Sequence, residues 1–369
     1  MEWVKSRAAQ NSLTASLPRA ILTFVAIRGA VLLVLVAISE LKNRSAYSVL
    51  VRWDSQWYSR IADHGYGHIV ATSDGRQLSD YAFFPLYPAT ERIFHFVTQI
   101  SAVNCGLFIS AVASIFAAAG IYRSVHLVSG EQTAFITTML WALVPIGIVE
   151  SMAYTESLFT ALAAWAIFYI LKKNWVAAAA LAVGAGLTRP IGIAVVAAVV
   201  VCALYEQKRP YLAIAIAPIG LVGYLSLVGY QQKNLLGYFD VATGWQNGFD
   251  GGANFLQWIW KLLTSGSAFS AILILFGIGT LILLLRSSIK DRQPLALLVY
   301  SSSILLLSFT TASYFGSKPR YLLPAFGLLI PIAARTAKLK LGTQIVIFSL
   351  SLICSAVYGA FWLLGAGPP

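Results

Sequence analysis

Long apolar stretches alternate with short polar segments along nearly the whole chain. A helix needs roughly 17 to 25 mostly apolar residues to cross about 30 Å of hydrocarbon. By this measure the pattern predicts about eleven membrane-spanning helices. They fall near 20–39, 103–122, 134–150, 156–171, 175–188, 190–205, 211–230, 267–285, 294–311, 320–334 and 342–365. The shorter ones are expected to be tilted, kinked or re-entrant at their prolines, Pro145, Pro190, Pro218, Pro324 and Pro331.

The composition agrees with this pattern. Hydrophobic residues make up 58% of the 369 residues, charged residues only 11%, and the mean hydropathy is +0.75. The surface of a soluble domain needs about twice that charged fraction. The chain is therefore predicted to be an all-α polytopic membrane protein, one integral unit over 1–369, with long polar loops at 40–102 and 231–266.

The net charge of +12 has a simple explanation in the predicted topology. Basic residues gather at alternate helix ends, as at Lys172, Lys173 and Lys290. The positive-inside rule then puts the N terminus in the cytoplasm and both long loops outside, with the first span retained in the membrane. The charge therefore indicates the orientation of the chain in its membrane and gives no sign of a nucleic-acid partner.

The first outer loop carries the most distinctive residues. Trp53, Trp57 and Ile61 recur every four positions, and Asp54 and Tyr58 form a neighbouring stripe. This spacing predicts a short helix in the membrane interface. A carboxylate beside aromatic rings suits glycosyl transfer from a lipid-linked donor, which needs a general base and flat faces for the sugar. An ordinary aromatic belt around the loop is the alternative.

Aromatic residues also mark three other places. The rigid run FFPLYP at 83–88, which includes Tyr87, suits a wall packed on the site or on lipid. The Asp74-Gly75 turn before it indicates a mobile polar segment. In the second loop we expect acceptor contacts from the run 245–248 and from the cluster Trp258, Trp260 and Lys261.

Six motifs together resemble the PIG-V family, which includes the second mannosyltransferase of GPI-anchor assembly and its bacterial relatives. They are WDxxWY at 53–58, IAxxGY at 61–66, the run 83–88, YTESLF at 154–159, TRPIG at 188–192 and PRYLLP at 319–324. The resemblance implies a GT-C enzyme that takes a hexose, in this family mannose, from a polyprenyl phosphate on the non-cytoplasmic face. It also implies that Asp54 is the catalytic base.

A departing phosphate needs positive charge around its oxygens. Arg189 and Arg320 each lie at the outer end of a predicted span beside a proline, and Lys318 can add a point charge. We predict that these three residues bind the donor phosphate. The alternative is that both arginines only reach toward the membrane interface.

The predicted substrate-binding residues are Trp53, Trp57, Tyr58, Tyr87 and Glu156. Glu156 begins a predicted span, where it can bind sugar hydroxyls, orient an arginine, or simply favour the helix start. Arg28, in the middle of the first span, is predicted to be structural.

No metal or cofactor is expected. Asp63, His64 and His68 are metal-ligand types, but Gly65 interrupts the helix that would align them. One turn apart, Glu91 and His95 are expected to form a solvated interfacial pair.

These observations predict a glycosyltransferase with a polyprenyl-phosphate sugar donor and a lipid or glycolipid acceptor. A multispan lipid transporter or flippase is one alternative, since its composition would be the same. A structural scaffold or inactive relative that keeps the fold is another. Transporters commonly repeat their polar sites in two halves, whereas here the polar chemistry is concentrated in one loop.

Overall fold

The computed structural model describes residues 7–207, 209–365 and 367, and these residues are nearly all helical. Residues 1–6, 208, 366, 368 and 369 of the predicted unit lie outside this described part. In chain order the helices are α1 (Arg7–Leu41), α2 (Ala46–Leu50), α3 (Asp54–His64), α4 (Leu86–Thr98), α5 (Ala102–Ser129), α6 (Glu131–Ala142), α7 (Glu156–Leu171), α8 (Trp175–Gly186), α9 (Ile193–Leu204), α10 (Tyr211–Ile216), α11 (Ile219–Gln231), α12 (Gly237–Gly244), α13 (Ala253–Thr264), α14 (Ala268–Lys290), α15 (Leu295–Thr310), α16 (Lys318–Leu322), α17 (Ile330–Thr336) and α18 (Leu341–Leu363).

The predicted count of about eleven spans is not confirmed. Within the described residues, five helices are long and apolar enough to cross a membrane, or six if one bent pair counts as a span. The five are Leu17–Leu41, Ala102–Ser129, Tyr211–Gln231, Ala268–Lys290 and Leu341–Leu363. The bent pair, Glu131–Ala142 and Pro145–Ser151, turns by 80°. The other predicted stretches contain shorter apolar helices, which at 1.5 Å per residue do not reach across about 30 Å of hydrocarbon.

Prolines explain many of the breaks, as the sequence predicted. Pro145 and Pro190 each begin a 3-10 turn, and Pro218 lies between α10 and α11. Pro324 separates α16 from the 3-10 turn Phe326–Leu329, so the stretch expected as one span at 320–334 is three short pieces. Each proline lacks the backbone N–H that a continuing helix would use.

Small residues form the centre of the bundle. α5 packs against α6 and α7, α7 packs against α8, and α9 packs against α8 and α15. At Gly120 on α5, an added Cβ would lie 2.9 Å from the Cβ of Ala164 on α7, so the two helices approach closely. Such close contact between small residues is how helices associate tightly where hydrophobic burial offers little advantage.

Arg28 is buried in this bundle at 7% exposure. Its guanidinium donates to the Ser151 hydroxyl at the end of the bent segment, and the Glu150 carboxylate lies nearby as a counter-charge. Arg28 thus holds α1 against the bent segment, in agreement with the structural role predicted for it.

The outer loops contain two small antiparallel sheets, a departure from the all-helical prediction. The strands are β1 (Ile69–Ala71), β2 (Gln77–Ser79), β3 (Gly248–Phe249) and β4 (Thr311–Ala312). β1 pairs with β2, and β3 pairs with β4. The segment around Asp74-Gly75, predicted to be mobile, is the turn of the first hairpin. The buried carboxylate of Asp80 fastens this hairpin by accepting from the backbone N–H groups of Gly67 and His68.

Glu91 is fully buried on α4, so the predicted solvated pair with His95 is wrong. The His95 ring instead contacts the Ile100 carbonyl. The Glu91 carboxyl packs against Gly106, where a Cβ would leave it no room, and neither of its oxygens has a hydrogen-bond partner among the described residues. Burial, aided by the charge of Asp63, raises the pKa of Glu91 to about 9.

This burial predicts a pH-dependent stability. Between the ordinary pKa of 4.5 and about 9, the folded protein keeps the Glu91 proton and the unfolded chain loses it. Stability should therefore fall as the pH rises through this window. Glu91→Gln, a neutral isostere, should flatten the slope of apparent Tm against pH, measured in detergent. Glu40→Gln, at an exposed position of α1, serves as the control. An unchanged slope in Glu91→Gln would refute the assignment.

Candidate active site

A cavity of about 670 Å³ opens where the outer loops meet the ends of the bundle helices. Its walls come from α3, the β1–β2 hairpin, α12, the 188–191 turn and the segment from β4 to α16. These elements are far apart in the sequence, so the cavity exists only in the folded chain. Among the described residues that line it, Asp54 is the one carboxylate.

Asp54 is the first residue of α3. Its side chain is 27% exposed, and its Oδ2 accepts a hydrogen bond of 2.9 Å from Nη2 of Arg320. A carboxylate at a helix N-terminus is favoured by the helix dipole. The charged oxygen of Asp54 is therefore held at the cavity wall while remaining accessible from the cavity.

Arg189 and Arg320 form a basic floor with Glu156 behind them. Oε1 of Glu156 accepts a 2.7 Å hydrogen bond from Nε of Arg320 and lies 2.6 Å from Nη1 of Arg189. Glu156 is completely buried, whereas both arginines line the cavity. One carboxylate thus orients two guanidinium groups, whose remaining N–H donors can face a bound anion.

The local backbone explains how the arginines reach this place. Arg189 lies in an extended conformation between the end of α8 and the 3-10 turn Pro190–Gly192. At Gly192 a Cβ would lie 2.5 Å from the carbonyl oxygen of Ala185, so only glycine lets the turn fold onto the end of α8. Arg320 is carried by the single-turn helix α16, which follows β4 and the 3-10 turn Phe315–Ser317.

Three aromatic rings form one wall, which we call the aromatic wall: Trp57, Phe83 and Trp245. Trp57 and Phe83 are stacked with centroids 5.5 Å apart and an interplanar angle of 9°. Trp245 meets Trp57 edge-on at 5.0 Å, and its indole N–H donates to the carbonyl of Ser79. Stacked rings beside hydrogen-bonding groups are suited to the apolar face of a sugar.

The family model described as Mannosyltransferase (PIG-V) matches residues 23–218, more than half of the chain. The chain belongs to the PIG-V mannosyltransferase family. The matched part contains Asp54, Glu156 and Arg189 and ends before Arg320. No curated protein matches the chain.

Solved structures with the same fold are GT-C glycosyltransferases. A crystal structure of ArnT from Cupriavidus metallidurans bound to undecaprenyl phosphate matches with a TM-score of 0.56 and 15% identity, over 90% of this chain and 63% of ArnT. The oligosaccharyltransferase of Archaeoglobus fulgidus, tethered with an acceptor peptide, matches with a TM-score of 0.52 and 12% identity, over 94% of this chain and 56% of that chain. AglB from the same organism, in complex with an inhibitory peptide and a dolichol-phosphate, matches with a TM-score of 0.51.

The chain spans less than two thirds of the length of these solved structures. At such low identity the likeness shows the fold. Together with the long apolar helices, it identifies this PIG-V family member as an integral membrane protein.

Several residues predicted for the site do lie in the cavity. Asp54, Arg189, Arg320, Trp53, Trp57 and Tyr58 all line it. Tyr58 is buried, and its hydroxyl lies 3.4 Å from that of Thr155. Burial raises the pKa of the Tyr58 phenol, so this hydroxyl stays protonated and can act only as a hydrogen-bonding group.

Three predicted site residues do not reach the cavity surface. Tyr87 is fully buried, and its hydroxyl donates to the carbonyl of Gly106. Lys318 turns away from the cavity and donates to the carbonyls of Ser308 and Thr311. Glu156 lies behind the arginines, so of the roles considered for it, the structure favours orienting an arginine.

One part of the second outer loop lines the cavity and another part does not. Trp245, Gln246, Asn247 and Gly248 line the cavity, whereas Trp258, Trp260 and Lys261 belong to α13 and do not. Trp260 is 69% exposed on the amphipathic surface of that helix, as expected for a helix at the membrane interface. Arg76 on the hairpin also lines the cavity, although no pattern in the sequence singled it out.

Asp63, His64 and His68 do not form a metal centre. Across the described residues, no group of three or more His, Cys, Asp or Glu side chains is placed to hold a metal ion. Asp63 and His64 are exposed at the end of α3, and the His68 ring packs near Trp57 instead.

Proposed function

We propose that this protein transfers a hexose, by its family mannose, from a polyprenyl-phosphate sugar to a lipid or glycolipid acceptor on the outer side of the plasma membrane. The observation that carries the proposal is the meeting of one accessible carboxylate, two arginines and the aromatic wall in a single cavity. Membership of the PIG-V family supports the same chemistry.

Asp54 serves as the general base in this proposal. The acceptor hydroxyl attacks the anomeric carbon, and its proton passes to the Asp54 carboxylate as the new C–O bond forms. The bond between the anomeric carbon and the phosphate oxygen breaks, and its electron pair leaves with the polyprenyl phosphate. A phosphate is a good leaving group, so no acid has to protonate it.

The arginine pair binds that phosphate. Arg189 and Arg320 lie on the cavity side of Glu156, which fixes them before substrate enters. Preorganised donors of this kind stabilise charge as it develops, without reorganising during the reaction. The phosphate also competes with Asp54 for the N–H of Arg320, so donor binding loosens the ion pair that holds the base.

The cavity rim is apolar, as a lipid substrate requires. Phe239, Phe249 and Tyr314 line the opening and are 50%, 72% and 54% exposed. Isoprenoid and acyl chains can lie against these rings while the polar headgroups enter the cavity.

The test is transfer of label by the purified protein in nanodiscs. A polyprenyl-phosphate mannose labelled in the sugar is supplied with a bacterial lipid extract. We expect the label in a new lipid and one free polyprenyl phosphate for each sugar transferred. Movement of the intact donor across the bilayer, without release of polyprenyl phosphate, would favour the flippase alternative and refute the transferase.

The single carboxylate in the cavity predicts the stereochemistry of the product. A retaining double displacement needs a second carboxylate at about 5 Å, whereas a direct displacement needs only a base. The product should therefore carry the anomeric configuration opposite to that of the donor. Digestion of the product with α- and β-specific mannosidases checks this, as does the one-bond C1–H1 coupling constant of its anomeric carbon by NMR. Retention of configuration would contradict the single-base mechanism.

A further inference from the structure

The backbone just before Asp54 is in an unusual conformation. Trp53 has φ of 60°, in the left-handed region that bulky side chains rarely adopt. Conformations of this kind persist only where surrounding contacts hold them, and they occur often at functional sites. The contacts that hold Trp53 therefore also determine where the Asp54 carboxylate points.

Beside the Ser55 hydroxyl, which donates to the carbonyl of Arg52, the Tyr154 hydroxyl makes two of those contacts. It accepts a hydrogen bond of 3.2 Å from the backbone N–H of Asp54, and it donates one of 3.2 Å to the carbonyl of Arg52. One side chain thus joins the peptide groups on both sides of Trp53. Tyr154 is itself fixed, since it is 1% exposed and its carbonyl accepts from the Ser110 hydroxyl.

The ring of the same tyrosine contacts Arg320, one of the two arginines of the basic floor. The guanidinium carbon of Arg320 lies 4.7 Å from the Tyr154 ring centroid, within the range of a cation–π contact. The ring therefore contacts the same guanidinium that bonds Asp54 and Glu156. Tyr154 therefore contacts both proposed functional residues. Its hydroxyl bonds the backbone N–H of Asp54, and its ring lies against the guanidinium of Arg320.

We propose that Tyr154 is a positioning residue that sets the geometry between Asp54 and Arg320. It does not line the cavity, so it acts through these two residues and not on the substrate. This inference rests on the proposed function, in which the distance between base and phosphate matters. A displacement of about 1 Å in a catalytic group costs up to roughly 100-fold in rate.

Two substitutions separate the roles of hydroxyl and ring. Tyr154→Phe keeps the ring over Arg320 and removes both hydrogen bonds, so kcat should fall roughly 10- to 100-fold with donor KM changed less than about twofold. Tyr154→Leu also removes the ring, so donor KM should rise as well. If Tyr154→Leu does not fold, Tyr154→Phe carries the test alone.

Tyr300→Phe is the matched control. Tyr300 is fully buried, its hydroxyl donates to the carbonyl of Pro324, and it does not line the cavity. Loss of the Tyr300 hydroxyl should lower the apparent Tm about as much as Tyr154→Phe does, and it should leave kcat unchanged. Equal kcat values in Tyr154→Phe and Tyr300→Phe would overturn the positioning role.

Hydrogen exchange gives a readout that does not depend on activity. The Asp54 amide should exchange about tenfold faster in Tyr154→Phe than in the wild type, and at the wild-type rate in Tyr300→Phe. Unchanged exchange would overturn the inference even where kcat falls. If the wild type transfers no sugar, the proposed function fails, and the exchange rate still decides whether Tyr154 holds this backbone.

Discussion

Asp54→Asn should lower kcat for sugar transfer by about 100- to 10,000-fold, the range that loss of a general base produces. The amide keeps the shape of the carboxylate and can still accept from Arg320, but it cannot take the proton of the acceptor hydroxyl. Donor binding should be retained or strengthened, because the charged competitor for Arg320 is gone. Single-turnover rates in nanodiscs, together with donor Kd, measure both effects.

Asp63→Asn is the control for this prediction. Asp63 lies on the same helix, at an exposed position away from the cavity. The Asp63→Asn protein should transfer sugar at the wild-type rate. The apparent Tm of both variants should also be measured, so that a loss of folded protein is not mistaken for a loss of catalysis. If Asp54→Asn turned over at the wild-type rate at equal protein level, Asp54 would not be the base.

Glu156→Gln should destabilise the protein by roughly 3 to 5 kcal/mol, as removal of one partner from a buried ion-pair network does. Oε1 of Glu156 contacts both Arg189 and Arg320, each less than a tenth exposed. Without its charge, two guanidinium groups remain side by side, and the ion pair of Arg320 with Asp54 balances one of them. Apparent Tm in detergent should fall sharply, and the KM for donor should change because the arginines are no longer fixed.

A surface ion pair provides the comparison. Glu206 bonds Lys173 at 3.0 Å, where the lysine side chain is 67% exposed. Glu206→Gln should cost less than about 1 kcal/mol, since exposed pairs contribute little. Similar losses of stability in Glu156→Gln and Glu206→Gln would mean that the buried triad does not organise the site.

Local patterns predicted much of the site. The four-residue spacing of Trp53 and Trp57 indicated the helix that carries Asp54, and the prolines indicated where apolar stretches break. Arg189 and Arg320 were found from their position beside prolines at helix ends. These features depend on residues near one another in the sequence, where periodicity and backbone chemistry act directly.

The direction of a side chain was harder to predict. Lys318 and Arg320 are two residues apart on one turn of helix, yet Arg320 faces the cavity and Lys318 bonds carbonyls away from it. Phe83 and Tyr87 belong to one aromatic run, but the run turns into α4 at Leu86 and carries Tyr87 into the interior. A sequence motif does not tell which of two residues close together in the chain has its side chain facing the cavity.

Contacts between distant residues were predicted least well: the sequence offered Glu156 as a residue that can orient an arginine, but it did not tell which arginine. Arg320 meets Glu156 across 164 positions and Asp54 across 266. The bridge from Tyr154 to Asp54 and the pairing of β3 with β4 likewise depend on how the helices pack. The count of about eleven spans was not confirmed for a related reason, because hydropathy records apolar stretches but not the breaks that tertiary packing permits.

The most direct test is a structure of the Asp54→Asn protein with an intact polyprenyl-phosphate mannose, which this variant cannot consume. We expect the phosphate oxygens within hydrogen-bond distance of both Arg189 and Arg320. The sugar should lie on the aromatic wall, with residue 54 facing the anomeric carbon from the side opposite the phosphate. A donor phosphate bound away from both arginines, or an anomeric carbon out of reach of residue 54, would contradict the account.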